Sequence, residues 1–496
     1  MRRTLGLLAV GAVVAAAAWP MQVTGDNQNA HYALVKALAR GVPYVDDTLA
    51  ETGDLQSHDV ARHDGHLYAV KSPGLAMAAT PTYFAVDAAG MRTQGDPSRA
   101  LWFLNLFTSV LATMVLLLAV RSVAERFEPG FGSATAVILG LAAVTLPFAT
   151  LFFSHALSTA LVFGSFALLV RRELTTARVL GAGLAVGAAL VVEHSVWLAV
   201  LGVAAYAAVV ARSVRRTAVF VGGTVVGVLP LFAFNVWAFG NPLHTPYTDY
   251  WREQQNFDAT SLPSWSGLSP ELFSSLGLLV LAPVLGAGVA GTVLLYRRGM
   301  RAEALVCLGI PVSMVVYFSG TGAFGGLGPP RYLSPIMPFA LAPLALALRR
   351  LPLTTLTAAA VTSFQAVVMT ATGPLAAYDG MWLTRAVDRQ FVSTAASLVG
   401  ISGWYAITPF FLAALLAVVL GIASLPPPHP GPKDAAAAVF GLGAWGVVAL
   451  ASYNDYGHTP SVAYVVAVFA VLSSAALGVF LVSRLPRGSA PQPAAR

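Results

Sequence analysis

Apolar residues dominate this chain in long runs that are separated by short polar segments. The first run extends from Leu5 to Trp19, and thirteen more follow near residues 100–120, 133–152, 154–170, 177–192, 195–211, 217–238, 276–296, 303–318, 335–348, 351–371, 406–424, 435–452 and 462–483. A helix needs roughly 20 apolar residues to cross a bilayer. The pattern predicts an all-α polytopic membrane protein with about fourteen transmembrane helices.

The first run has two interpretations. Arg2 and Arg3 before a short apolar core are typical of a signal peptide. The alternative is an uncleaved first span. We favour the span because a polar segment starts at Asp26, almost immediately afterwards, and needs an anchor.

The charge pattern predicts the topology. Arginines recur at alternate junctions between the runs, at Arg121, Arg171-Arg172, Arg215-Arg216, Arg297-Arg298, Arg349-Arg350 and Arg484. Lys and Arg accumulate on cytoplasmic loops, so the N-terminus is expected inside. Four large loops, 20–97, 239–275, 319–334 and 372–405, are then outside. The same rule splits 177–211 into two spans, with Glu193 and His194 at their outer turn.

Composition supports this class and excludes others. Only 10% of the 496 residues are charged and 57% are hydrophobic, whereas soluble proteins carry roughly 25% charged residues. The net charge of +7 fits cytoplasmic loops of a membrane protein rather than nucleic-acid binding. Cys307 is the single cysteine, which excludes an intramolecular disulfide and a cysteine metal cluster.

The first outer loop holds most of the candidate chemistry. Nine of the 22 acidic residues lie there: Asp26, Asp46, Asp47, Glu51, Asp54, Asp59, Asp64, Asp87 and Asp96. Asp26 stands where a helix N-cap is expected, before an apolar stripe that ends at Gly41. Leu75 to Val86, broken by Pro81, is too short to cross. We predict two helices that lie on the membrane surface.

The order of these features resembles the GT-C glycosyltransferases, in particular the branch of protein O-mannosyltransferases and aminoarabinose transferases. A carboxylate follows the first span, Lys71-Ser72-Pro73 resembles the Lys-Pro-Pro motif of that branch, and Pro330 to Pro335 resembles an Arg-Tyr-x-x-Pro stretch. The resemblance implies a polyprenyl-phosphate sugar donor, Asp26 as catalytic base, and Lys71 at the lipid phosphate. Asn27 and His155 stand where members of the family often carry further acids.

Each candidate residue also has an ordinary structural role. Asp26 could serve only as a helix cap, and Lys71 could reach lipid headgroups as an interfacial anchor.

Arg331, followed by Tyr332, is the single cation of loop 319–334, and an arginine can hold phosphate in bidentate fashion. Glu193 is an ionisable group near membrane depth, where such groups are usually functional; the alternative is simple exposure at the outer interface. His155 could orient a hydroxyl or phosphate, or merely lie at an interface. The aromatic segment 244–250 could bind a sugar acceptor.

We therefore expect a glycosyltransferase of the plasma membrane, which moves a sugar from a polyprenyl-phosphate donor to a glycan, lipid or protein acceptor on the extracytoplasmic face. Residues 1–350 would form the catalytic module, and 351–496 would add C-terminal helices of unassigned role. Asp26 is the predicted base, and the predicted substrate-binding residues are Lys71, Arg331, Tyr332, His155 and Glu193. The sequence indicates no cofactor and leaves the use of a divalent metal open. The alternative function is a lipid flippase or transporter without glycosyl transfer.

Overall fold

The structure is a computed structural model that describes residues 1–51, 59–90, 98–142, 144–171, 173–253, 262–274, 276–320, 330–376 and 382–455. These residues are mostly helical. The helices of the first part are α1 (Arg2–Ala18), α2 (Asp26–Ala39), α3 (Asp46–Ala50), α4 (Gly74–Ala88), α5 (Ser98–Asn105), α6 (Leu111–Phe127), α7 (Gly132–Gly140) and α8 (Thr145–Ala149). A π-helical turn, Leu106–Val110, joins α5 to α6.

The middle part holds α9 (Ser154–Leu169), α10 (Thr176–Val192), α11 (Trp197–Ala211), α12 (Val214–Phe239), α13 (Pro246–Glu253), α14 (Trp265–Phe273), α15 (Leu278–Leu281) and α16 (Val284–Arg297). The last part holds α17 (Arg301–Phe318), α18 (Ile336–Leu341), α19 (Leu344–Arg350), α20 (Pro352–Thr372), α21 (Trp382–Val387), α22 (Gly403–Ser424) and α23 (Pro432–Asp455). Short 3-10 turns occur at His194–Val196, Arg331–Leu333, Pro374–Ala376 and Ala395–Val399.

Two small antiparallel strand pairs interrupt this helical fold. β1 (Pro20–Met21) pairs with β4 (Ser393–Thr394), which joins the first outer loop to loop 372–405. β2 (Val60–His63) pairs with β3 (His66–Ala69) across a two-residue turn, Asp64-Gly65. Both turn residues have positive φ, 46° and 87°, as an Asp-Gly hairpin turn requires. The all-α prediction is thus correct for the helical bulk and missed this hairpin.

The described residues include six helices that are long and apolar enough to cross a membrane. They are Ser98–Phe127, His194–Ala211, Val214–Phe239, Arg301–Phe318, Pro352–Thr372 and Gly403–Ser424. A bent pair, Trp265–Leu281 with Val284–Arg297, raises the number to seven if it is one span. The chain is therefore a multi-pass membrane protein, but the predicted count of about fourteen spans is not confirmed. The last predicted run, 462–483, lies outside the described residues.

Two predicted spans are instead pairs of short buried helices. The run 335–348 is divided between α18 and α19 at Pro343, which has no backbone N–H to continue the first helix. The run 133–152 is divided between α7 and α8. The break predicted near Glu193 is present, between α10 and α11. Hydropathy identified these apolar segments correctly but overestimated the length of the helices.

The close packing of α10 against α12 depends on glycine. A Cβ on Gly183 would lie 2.1 Å from the carbonyl oxygen of Phe220, and one on Gly187 would lie 2.3 Å from that of Thr224. Gly223 and Gly227 make the reciprocal approach from α12. Both helices thus carry a small-xxx-small pattern, which lets the backbones of membrane helices approach closely.

Part of the outer loop forms its own buried cluster, and α2 lies inside it. Every residue from Gln28 to Ala37 of α2 is buried by protein, so the prediction that α2 lies on the membrane surface is wrong. The reason is that polar residues on the side opposite the apolar stripe, including His31 and Lys36, are buried too. The helix α4 continues through Pro81 instead of breaking there, and buries one face against α2.

The C-terminal helices pack against the N-terminal one. Trp19, at the end of α1, donates its indole N–H to the carbonyl of Ala406 in α22, at 2.7 Å. One core cluster includes Ala9 and Val13 of α1 together with Ile407 and Phe410 of α22. The predicted division at residue 350 separates no independent core in the described residues, and the separate roles of the two parts stay a prediction.

Candidate active site

Asp26 begins α2, but it is not the helix cap. Gly25 occupies the N-cap position, and its backbone N–H donates to Oε1 of Gln28 at 3.0 Å. Asp26 is the first helical residue and is exposed. The prediction that Asp26 is the N-cap is therefore wrong by one position. Gly25 and Gln28 form the cap, so capping does not compete with a catalytic role for Asp26.

The β2–β3 hairpin positions Lys71 beside an acid that sequence reasoning did not single out. Val60 pairs with Ala69, so Asp59 and Lys71 extend from the same end of the ladder. The Nζ atom of Lys71 lies 2.9 Å from Oδ2 of Asp59, with only 10% and 26% of the two side chains exposed. Burial would raise the pKa of Asp59, but Lys71 and then Arg331 hold it below its ordinary value.

Arg331 approaches the same region from the other half of the chain. Its guanidinium lies over the rings of Phe153 and Tyr332, 5.7 and 5.2 Å from their centroids. Within the described part of the chain it forms no ion pair with a carboxylate. Burial would lower the pKa of Arg331, but Tyr332, Asp59 and Glu193 keep it above its ordinary value. Arg331 is thus a fixed cation without a carboxylate partner in that part of the chain.

A second polar group lies where α9 begins and where α10 ends. Ser154 donates its hydroxyl to Oε2 of Glu193, and Nδ1 of His155 lies 3.5 Å from the same oxygen. The ring of His155 stands edge-on to that of Tyr332, with 5.4 Å between centroids. Glu193, His155, Tyr332 and Arg331, predicted separately from distant segments, are therefore neighbours.

Ser72 connects the lysine motif to this group. Its hydroxyl oxygen lies 2.6 Å from Nδ1 of His194, the residue after Glu193. His194 in turn contacts the ring of Tyr247, 5.7 Å away between centroids. The lysine motif, the α10–α11 turn and α13 therefore meet in what we call the outer cluster: Asp26, Asp59, Lys71, Ser72, His155, Glu193, His194, Tyr247, Tyr250, Arg331 and Tyr332.

Tyr250 is close enough to feel the charges of both Asp26 and other members of the outer cluster. Burial raises the pKa of Tyr250, and the charges near enough to raise it further are those on Asp59, Tyr332 and Asp26, in that order. The same helix, α13, carries Tyr247, whose pKa burial and Glu193 raise well above its ordinary value. Both phenols therefore stay neutral hydrogen-bonding groups. The sequence signal for them was the aromatic segment 244–250.

His31 is a buried residue of α2 that sequence reasoning missed. Burial and the nearby charge of Lys71 lower its pKa to about 3. Neither ring nitrogen has a hydrogen-bond partner among the described residues. A neutral imidazole in this position can donate a hydrogen bond to a bound ligand from one ring nitrogen and accept one at the other. Its position five residues after Asp26 in the same helix was the available signal.

A separate group beside the hairpin offers metal-ligand atoms. Oδ2 of Asp249 lies 3.1 Å from Nδ1 of His63 and 2.6 Å from Nε2 of His244. The three ligand atoms lie within 4.8 Å of one another. Two imidazoles and a carboxylate suit a divalent ion such as Zn²⁺. The same distances also describe a histidine–carboxylate hydrogen-bond network.

Comparison with known proteins gives a resemblance in fold. No protein-family profile and no curated protein matches the sequence. The structure is similar to ArnT from Cupriavidus metallidurans in the apo state, with a TM-score of 0.47 and 17% identity over 97% of this chain and 77% of that chain. Another structure of ArnT, bound to undecaprenyl phosphate, gives a TM-score of 0.43 and 16% identity over the same shares.

The oligosaccharyltransferase AglB from Archaeoglobus fulgidus, in complex with an inhibitory peptide and a dolichol-phosphate, gives a TM-score of 0.40 and 13% identity over 88% of this chain and 56% of that chain. At these TM-scores the resemblance to the GT-C glycosyltransferases stays a prediction from the sequence. At these identities the similarity concerns the fold alone. The activity is inferred below from the residues of the outer cluster.

Proposed function

We propose that this chain is a glycosyltransferase, which moves a sugar from a polyprenyl-phosphate donor to a hydroxyl acceptor at the extracytoplasmic face of the plasma membrane. The observation that carries the proposal is the meeting of two cations from distant segments. Lys71 contacts Asp59 at 2.9 Å, and Arg331 is close enough to lower the pKa of the same carboxyl. Two such cations beside a membrane suit one lipid phosphate.

In the proposed reaction, Asp26 accepts the proton of the acceptor hydroxyl. The oxygen then attacks the anomeric carbon, the new glycosidic bond forms, and the bond to the phosphate oxygen breaks with inversion. The electron pair leaves with the lipid phosphate, whose growing negative charge Lys71 and Arg331 stabilise. The phosphate is released on its lipid tail, and the proton stays on Asp26 until solvent removes it.

Asp26 is a better candidate for the base than Asp59. A base is effective when its pKa lies near the working pH and it can reach the proton. The ion pair with Lys71 lowers the pKa of Asp59 and occupies one of its oxygens. Asp26 is exposed at the first position of α2. We assign Asp59 the role of a positioning residue, which holds Lys71 until the donor phosphate arrives.

The remaining members of the outer cluster suit recognition of the donor sugar. Glu193 and the ring nitrogens of His155 and His194 supply hydrogen-bonding groups, and the rings of Tyr332 and Tyr247 border them. Sugars combine hydroxyls with apolar C–H faces. The hydrogen-bonding groups suit the hydroxyls, and the aromatic rings suit the C–H faces. We place the donor sugar between these groups and the acceptor near Asp26.

The phosphate site is tested by transfer of radiolabelled sugar from a synthetic polyprenyl-phosphate donor in detergent. Lys71→Ala and Arg331→Ala should each weaken use of the donor. Because both cations would bind one phosphate, the double variant should be little worse than the worse single variant. Arg331→Lys should recover only part, since a point charge does not replace the planar guanidinium.

Arg62→Ala is the matched control, because Arg62 is an exposed cation on the hairpin that carries Lys71. It should transfer sugar at the wild-type rate, and the thermal stability of every variant is measured alongside. Full activity of both single variants would rule out this phosphate site. Binding of the lipid without transfer to any of a broad panel of acceptors would contradict the enzyme and favour a flippase.

A further inference from the structure

Four arginines converge on one cavity far from the outer cluster. The cavity has a volume of about 230 Å³ and is lined by Glu128, Leu294, Arg297, Arg298, Leu346, Arg349 and Arg350. We call it the arginine cleft. Two of these arginines come from the C-terminal end of α16 and two from that of α19, and Glu128 follows α6 directly.

The arginine cleft carries more positive charge than its own acid neutralises. Glu128 is buried and pairs with two arginines: Nη1 of Arg298 lies 2.6 Å from Oε2, and Arg349 contacts Oε1. Arg298 also donates to the carbonyl of Phe127 at 2.7 Å. In the described part of the chain, Arg297 and Arg350 form no ion pair. Four arginines and one glutamate leave a formal charge of +3.

The tendency of arginines to flank membrane helices does not account for this arrangement by itself. Arg215 and Arg216 at the start of α12 also flank a helix and are exposed, as the four arginines of the cleft are, but in the described part of the chain they form no ion pair. In the arginine cleft, by contrast, the buried carboxylate of Glu128 pairs with two guanidinium groups from two different helix ends. Guanidinium groups bind phosphate oxygens in bidentate fashion.

An apolar stripe leads away from the cleft along α16. Val289, Val293 and Tyr296 are 54%, 46% and 47% exposed, and their spacing puts them on one face that ends at Arg297. Leu294 and Leu346 continue the apolar surface inside the cavity. A charged cavity that continues into an exposed apolar stripe matches a lipid, whose headgroup is anionic and whose chains are apolar.

We propose that the arginine cleft binds the phosphate headgroup of an anionic lipid, with its acyl chains along Val289, Val293 and Tyr296. This site is independent of the outer cluster. The helical stretch Ser98–Phe127 starts after the first outer loop and has 30 residues, which is ~45 Å at 1.5 Å per residue. Glu128 follows its far end. The lipid would therefore bind in the opposite leaflet from the proposed reaction.

The test compares the full chain with Arg297→Gln/Arg350→Gln, a double variant that keeps both ion pairs of Glu128. Arg215→Gln/Arg216→Gln removes the same charge elsewhere and is the matched control. Each protein is purified in a neutral detergent, and its thermal unfolding midpoint is followed as phosphatidylglycerol, phosphatidylcholine or inorganic phosphate is added. Native mass spectrometry counts the lipids that remain bound.

We expect phosphatidylglycerol to raise the midpoint of the wild type and of the control more than phosphatidylcholine does, with one tightly bound lipid. The cleft variant should lose this difference and the bound lipid. An equal response of the cleft variant and the control would overturn the proposal. An effect of inorganic phosphate as large as that of phosphatidylglycerol would also overturn it, because the cleft would then bind a soluble anion instead of a lipid.

Discussion

At the scale of single residues, the outer cluster combines signals that the sequence carries with partners that it does not reveal. Lys71 was predicted from the resemblance of Lys71-Ser72-Pro73 to a family motif, and Arg331 was predicted as the single cation of loop 319–334. Asp59 was one of nine acids in the first outer loop, with nothing in its neighbourhood to distinguish it. Its role depends on the register of the β2–β3 hairpin, which brings residues twelve positions apart into contact.

The Asp59–Lys71 pair predicts an unusual response to the donor. Asp59→Asn leaves a buried cation without its carboxylate, which costs about 3–5 kcal/mol when a buried pair is broken. A lipid phosphate would restore a negative partner. We therefore expect a lower unfolding midpoint than in the wild type without ligand, and a larger rise on saturation with polyprenyl phosphate.

Asp388→Asn is the control for this measurement, because Asp388 is an exposed acid of loop 372–405. Its midpoint and its response to the lipid should match those of the wild type. A rise in Asp59→Asn equal to or smaller than that of the wild type would show that Lys71 does not meet the phosphate.

At the scale of elements, the lysine motif depends on a close approach between α4 and α10. Gly74 is the first residue of α4, and a Cβ there would lie 2.7 Å from the carbonyl of Val191 and from the backbone N of Val192. The next residues of that segment are Glu193 and His194. The contact therefore sets the distance between Lys71-Ser72 and the α10–α11 turn.

Gly74→Ala should push these elements apart, since backbone atoms at 2.7 Å cannot move aside as a flexible side chain can. We expect a loss of about 1–3 kcal/mol of stability from overpacking, together with a higher KM for the donor. Gly164→Ala in α9 is the matched control, because nothing lies within 4 Å of the added Cβ. If Gly74→Ala matched Gly164→Ala in stability and KM, the contact would have no part in the site.

The elements also show where sequence reasoning succeeds and fails. The start of α2 was predicted to within one residue from a local signal, a polar residue before an apolar stripe. The break at Glu193 was predicted from the cytoplasmic bias of arginines on both sides of 177–211. The π-helical join before α6, the break at Pro343 and the burial of α2 on all sides depend on tertiary packing. Apolar periodicity identifies one buried face, but it does not report burial of His31 or Lys36 on another.

At the scale of the whole molecule, the proposal requires that Asp26, Lys71 and Arg331 face the extracytoplasmic side. The arginine pairs predict this topology through their cytoplasmic bias. Cysteine at Ser213, between α11 and α12, should be protected from a membrane-impermeant thiol reagent in intact cells. Cysteine at Ser57 in the first outer loop should react. Cys307 is buried, which makes the native background low.

Labelling of Ser213→Cys from outside would contradict both the predicted division of 177–211 and the assigned side. Protection of Ser57→Cys, with normal reaction after the membrane is permeabilised, would place the outer cluster on the cytoplasmic face. A polyprenyl-phosphate donor that is used outside would then not reach it.

The central claim is tested most directly by sugar transfer in Asp26→Asn, measured with radiolabelled donor under single-turnover conditions. The substitution keeps the size of the side chain at an exposed helix start and removes the base. We predict an unchanged unfolding midpoint, unchanged donor binding and transfer slower by roughly 10²–10⁴-fold, the usual contribution of a general base, with Asp388→Asn at the wild-type rate. Transfer by Asp26→Asn at close to the wild-type rate would contradict the proposed mechanism.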